Sequence, residues 1–136
     1  MSINALQEKE DMGKLILRMT VGILMLFHGV AKIRHPGSME FINTMLSGAG
    51  LPTFIAYGVY IGEVLAPLLI ILGLFTRYSA MVIVVNMLFA VFLVHTGHLF
   101  MLTDNGGWRL ELQGFFLFTA AAIVFLGSGQ YAIKPD

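Results

Sequence analysis

The stretch LILRMTVGILMLFHGVAKI, residues 15–33, decides the fold class. A helix needs about 20 predominantly apolar residues to cross the hydrocarbon core of a bilayer, and this run has that length and character. Three further stretches match it: residues 54–75, after the Gly48–Pro52 breaker cluster; residues 78–96; and residues 110–126, stopped by Gly127-Ser128-Gly129. The first is ended by His35-Pro36-Gly37. These runs are continuous rather than alternating, and too few to close a barrel, so helices are expected rather than membrane strands. The expected fold is all-α, an integral membrane four-helix bundle.

Composition agrees. The 136 residues are 57% hydrophobic and 12% charged, with a mean hydropathy of +0.83, whereas an ordinary soluble domain is about 25% charged. That length allows one compact unit, a single domain over residues 1–136. Formal net charge is zero, and no basic tail or charge run makes an electrostatic case for nucleic acid. The chain has no cysteine, which excludes disulfides, thiolate-held metals and dithiol exchange. Redox chemistry would therefore need a bound cofactor, a quinone, or a metal held by histidine and carboxylate. Residues 1–13 are polar, with Glu8, Glu10 and Asp11, unlike a secretory signal. The first run is thus expected to be a permanent span.

Connections refine the picture. Thr76-Arg77 joins the second and third runs almost directly, a tight antiparallel hairpin. Between the first two runs, Met39, Ile42, Met45 and Leu46 recur at helical spacing, with Ser38 as the expected N-cap and Gly48 past the end; this is a short interfacial helix. Asp104-Asn105-Gly106-Gly107 is a turn, followed by Trp108 at headgroup depth. With four spans both termini share a side. That side collects Lys9, Lys14, Arg18, Arg77 and Lys134 against Lys32, Arg34 and Arg109, which favours cytoplasmic termini.

The chemistry lies in polar residues within these runs: Arg18, His28, Lys32, Glu63, Asn86, His95 and Glu111. A charge at mid-membrane costs about 2.5–3.5 kcal/mol on insertion scales, so such residues face a bundle interior or polar cavity. At 1.5 Å per residue, His28 falls about 20 Å along the first span and Glu63 about 14 Å into the second. His95 ends the third span and Glu111 opens the fourth, so up-down threading puts all four in one half of the bundle, with Asn86 near mid-depth. His28 and Lys32, four apart, share a face. Gly58, Gly62 and Ala66 form a small-residue ridge beside Glu63, and Pro67 cannot bond the Glu63 carbonyl, so a kink is expected there.

Each residue also has a plain structural role open to it. Glu63 can be neutral interhelical glue, His28 a satisfied structural histidine, His95 and His98 interfacial residues, and Glu111 a helix-end anchor. Arg18 is expected to snorkel to its own surface and Arg77 to be a loop charge. Metal binding by these groups fits no established spacing, neither HExxH nor the Glu-x-x-His of di-iron bundles. Phosphate loops, dinucleotide-binding glycines and the GxSxG elbow are absent from the sequence.

His28-Gly29-x-x-Lys32 closing the first span, Gly50-Leu51-Pro52, Gly62-Glu63 and Gly73-Leu74-Phe75-Thr76-Arg77 resemble the DoxX family of small bacterial membrane proteins. Glu111 and Gly127-Ser128-Gly129 also fit, so the resemblance covers about residues 14–133. It implies a four-helix membrane protein and a link to quinone-coupled redox complexes, since the family name comes from a subunit of a thiosulfate:quinone oxidoreductase. One departure is local: Ala132-Ile133-Lys134 stands where relatives often have Ser-Leu-Asp.

The resulting expectation is a quinone- or quinol-interacting oxidoreductase subunit. Glu63, His28 and His95 would be its catalytic residues, Glu63 exchanging protons and a histidine holding a quinone oxygen. Lys32, Asn86 and Glu111 would bind the cofactor. Expected partners are the lipid bilayer, a redox partner subunit and possible further copies of the chain. The competing expectations are a noncatalytic accessory or scaffold subunit and, less favoured without an inverted repeat, a small transporter.

Overall fold

The computed structural model describes residues 2–136. Helix α1 runs Ile3–Arg34, starting twelve residues before the expected span. Ser2 caps it, its hydroxyl accepting the Ala5 N–H at 3.2 Å, so the polar N-terminal residues simply continue the helix out of the apolar zone. Its 32 residues reach roughly 48 Å, well beyond a 30 Å hydrocarbon core. Helix α2 runs Gly37–Gly48. It opens one residue before the expected Ser38 cap, because Pro36 already holds a helical φ and ψ. Gly48 is its last residue rather than the first beyond it, and the left-handed residue after the helix is Gly50, whose φ of +74° lets the Leu51 N–H return to the Leu46 carbonyl at 2.9 Å, a turn only glycine makes cheaply.

The second span, α3, covers Thr53–Leu72 and is composite. A 3-10 stretch, Thr53–Tyr57, gives way to one α turn, then a π turn at Ile61–Leu65, then an α-helix over Ala66–Leu72. The irregularity expected at Pro67 is thus displaced one turn back. Pro67 stands in the first turn of the last segment, where its missing N–H costs nothing, and the π turn absorbs the mismatch. Leu72 ends α3, and Gly73 and Phe75 both take left-handed φ in the reversal to α4, Thr76–Val94. The hairpin turn is therefore Gly73–Phe75, with Thr76 and Arg77 already inside the next helix. A 3-10 turn at Thr96–His98 and a loop closed by an antiparallel Leu102–Trp108 bridge lead to α5, Glu111–Leu126.

Three of these helices are long and apolar enough to cross a membrane. The fourth, α5, is apolar but has 16 residues, roughly 24 Å, short of a full core thickness. A shorter span is accommodated by local thinning or snorkelling flanks. The bundle core is Val21, Met25, Ala66, Ile70, Ala80, Ile83, Met87, Phe116, Ala120 and Ile123. Outside it, Phe27, Phe92, Phe118 and Phe125 are more than 60% exposed. Apolar residues exposed all round the bundle have a bilayer, not water, as their solvent.

Arg18 does not snorkel. It is 1% exposed and donates to the carbonyls of Ile70 (3.0 Å), Ile71 (3.2 Å), Ser128 (3.2 Å) and Tyr131 (2.6 Å). Helix C-termini leave carbonyls without intrahelical donors, and one guanidinium supplies donors to the end of α3 and to the segment after α5. That segment folds back over the bundle, with the Ile133 and Lys134 N–H groups bonded to Leu72 and Gly73. Arg77 is likewise no free loop charge: it donates to Val124 and Phe125 at 3.1 Å each. Near the C-terminus, Asp136 accepts the Arg77 backbone N–H at 3.1 Å.

Candidate functional site

Glu63 sits within the π turn of α3 and is 4% exposed. Its two oxygens are taken by different helices: Lys32 of α1 pairs with Oε1, and Asn86 of α4 donates to Oε2 at 3.0 Å. A carboxylate with a cationic partner and a second donor has the compensation that burial in a membrane demands. The Lys32 side chain is 26% exposed, so the pair is closed on the Glu63 side and open on the lysine side.

Glycines set this geometry. A Cβ at Gly29 would strike the Glu63 carbonyl and Val64, and one at Gly62 would lie 2.7 Å from Asn86. Close approach of α1 and α4 to the π turn therefore depends on both. Of the expected ridge, Gly62 and Ala66 are buried contacts, while Gly58 has nothing within 4 Å. The carbonyl that Pro67 was expected to leave free is the one Gly29 covers, so it faces a neighbouring helix rather than a cavity.

The pair forms part of the wall of a cavity of about 810 Å³. Met25, Val59, Ile61, Val82, Met87 and Phe116 make much of its apolar lining, and its polar residues include His28, Lys32, Glu63, Asn86, His95 and Gln113. Ligand pockets are typically of about 300–1,000 Å³, mostly apolar with a few placed polar groups. The interfacial helix forms a roof: Phe41, Ile42 and Leu46 of α2 face the cavity, a role its apolar spacing alone did not reveal.

The expected residues divide here. Lys32, Glu63 and Asn86 are joined by direct bonds. His28 lines the cavity but is exposed, its ring edge-on to Phe116 with centroids 5.6 Å apart. His95 lines the far end, with its Nδ1 3.3 Å from that of His98. It lies past the end of α4, and partial burial together with the neighbouring His98 lowers its pKa below 6.5. Glu111 does not join the cluster. It is an exposed first-turn acid of α5, packed near Gly107, and the residue that reaches the cavity is Gln113. Two residues along a helix turn the side chain by about 200°, enough to exchange one for the other. Among the described residues no three His, Asp or Glu side chains converge to hold a metal.

Comparison with known proteins bears on this arrangement directly. A family model described as DoxX matches residues 13–96, which carry Lys32, Glu63, Asn86 and His95. The chain belongs to the DoxX family. An uncharacterized protein of Haemophilus influenzae is 35% identical over 123 residues, covering 86% of this chain and 84% of that protein. A Bacillus subtilis protein named "Putative oxidoreductase CatD" is 27% identical over 126 residues, covering 92% and 87%. No solved structure matches the chain significantly. As a DoxX protein the chain is a membrane protein, in keeping with its exposed apolar helices.

Proposed function

We propose that this DoxX protein is a quinone- or quinol-interacting subunit of a membrane oxidoreductase. The observation that carries the reading is a buried carboxylate, Glu63, held by Lys32 and Asn86 in the wall of a largely apolar cavity. The donor set suits the group: an apolar slot accepts a ring, and Lys32, Asn86, His28 and Gln113 offer donors to its oxygens. A quinone bound there would supply a two-electron, two-proton redox couple.

The chain's residues supply the proton handling. Glu63 is the group placed to give and accept a proton inside the bilayer, with Lys32 as its cationic partner. Asn86 fixes its second oxygen and so its orientation. His95 and His98 stand at the aqueous end, where burial and the neighbouring His98 keep His95 in its neutral form at neutral pH. The oxidoreductase name of the Bacillus subtilis relative supports the same class. With Arg18, Arg77 and Lys32 committed to internal bonds, Lys9, Lys14 and Lys134 remain on the terminal side against Arg34 and Arg109 opposite. That balance favours cytoplasmic termini in a bacterial inner membrane.

One observation favours a second reading: Lys32–Glu63–Asn86 ties three helices together, as scaffold glue would. The test is chemical reduction of added quinone in nanodiscs, with proton uptake followed by a pH dye. Glu63→Gln keeps an acceptor for Lys32 but cannot carry the proton, so uptake should slow by about 10²-fold or more with the helices intact. Uptake unchanged in Glu63→Gln removes the proton role; uptake unchanged together with lost stability establishes the scaffold.

A further inference from the structure

The cavity continues past Glu63 as a stripe along α4, and the shape of that stripe specifies its ligand further. Val82, Asn86, Ala90 and Leu93 all line it, recurring at the three- and four-residue spacing that puts side chains on one helix face. From Val82 to Leu93 the stripe is roughly 16 Å long. Asn86 divides it. Toward the loops lie Ala90, Leu93 and then His95, beneath the α2 roof; toward the hairpin there is only apolar wall, Val82 and its neighbours Met81 and Val85.

That apolar half is open at the side. Met81 (47%) and Val85 (46%) line the cavity and are exposed at once. The bonded carboxylate at its inner end is 4% exposed. The cavity thus has a closed, polar head region and an apolar flank open to the hydrocarbon of the bilayer. A small water-soluble molecule needs no such flank. A ligand whose polar head carries a long hydrocarbon tail does.

We infer that Met81, Val82 and Val85 of α4 form a tail subsite and lateral doorway for a hydrocarbon-tailed quinone. Its ring enters from the bilayer and stops against Lys32, Glu63 and Asn86. This rests on the quinone reading above and adds the tail and the route. Lipid is as apolar as the subsite, so the tail gains little by transfer; the flank acts by shape, admitting a tail that a closed wall would exclude.

Blocking the flank should therefore discriminate by tail. The probes are a benzoquinone bearing a decyl chain and the same ring with a methyl group, titrated into detergent-purified protein at matched mole fractions in the micelle. Val85→Trp should weaken the decyl compound at least about tenfold and leave the methyl compound within about twofold. Leu88→Trp, on the same helix but outside the cavity, should alter neither. Met81→Trp repeats the block should Val85→Trp fold poorly, as judged by circular dichroism. Equal effects on both probes, or none on either, overturn the tail subsite while leaving the head site standing. Phospholipid displacing the decyl probe at equal mole fraction also overturns it, making the flank a lipid slot. Failure of both probes to bind the unmodified protein removes the head-site reading and the tail subsite with it.

Discussion

Substituting Gly29 with alanine is the sharpest probe of how the site is built. Gly29 is buried in α1, three residues before Lys32, and its added Cβ would lie 2.6 Å from the Glu63 carbonyl carbon and 2.7 Å from Val64 Cγ2. Ordinary contact begins at 3.4 Å, so α1 must retreat from the π turn by roughly 1 Å or distort. Overpacking costs about 1–3 kcal/mol, and the upper end applies because the obstructing atoms are backbone, which cannot rotate away. Alanine returns about 0.5–1 kcal/mol in helix propensity, leaving a net loss of about 2 kcal/mol, or roughly 30-fold in the unfolding equilibrium. Gly13, in the same helix with nothing within 4 Å of its added Cβ, supplies the control: Gly13→Ala should gain the propensity alone. The assay is SDS titration in mixed micelles followed by circular dichroism. Gly29→Ala as stable as Gly13→Ala would refute the close approach of α1 to Glu63.

Other outcomes follow from the same geometry. Replacing Arg18 with methionine leaves four carbonyls without their donor and should cost about 3–5 kcal/mol in that titration, with faster hydrogen exchange at the Ile133 and Lys134 amides; unchanged exchange would mean the returning segment holds without it. Histidine NMR should show His95 titrating below 6.5, so that just below that pH it stays neutral where a free histidine is half charged. His98→Ala should move that midpoint up only part of the way, since burial is the larger cause; a full return to 6.5 would contradict this. Lys32→Met should leave the buried Glu63 carboxyl without its ion-pair partner and lower stability in the SDS titration; unchanged stability would argue against the pairing.

How much of this was legible in the chain follows from what each kind of residue reports. Apolar runs locate spans because the bilayer imposes a length, and Glu63, Lys32 and Asn86 could be singled out because intramembrane polar groups have few other uses. Their threading into one half of the bundle required only chain direction. Side-chain phase was harder. Glu111 and Gln113 differ by two positions, and the irregular α3 shifts the register that a uniform helix would assign. The π turn has no residue signature of its own. Arg18 was misread because its partners are backbone carbonyls of Ile70, Ile71, Ser128 and Tyr131, and no residue type marks those positions. The return of the segment after α5 over the bundle, bonded to that same arginine, is unmarked for the same reason.

The central claim, that the Glu63 cavity holds a quinone, is met most directly by mass spectrometry of lipids and quinones retained by the protein after mild-detergent extraction. The account predicts quinone at about one per chain, lost in Asn86→Leu, which removes a donor from the cavity, while the same phospholipids remain bound to both proteins. Quinone absent from the unmodified protein, or retained undiminished in Asn86→Leu, would contradict it.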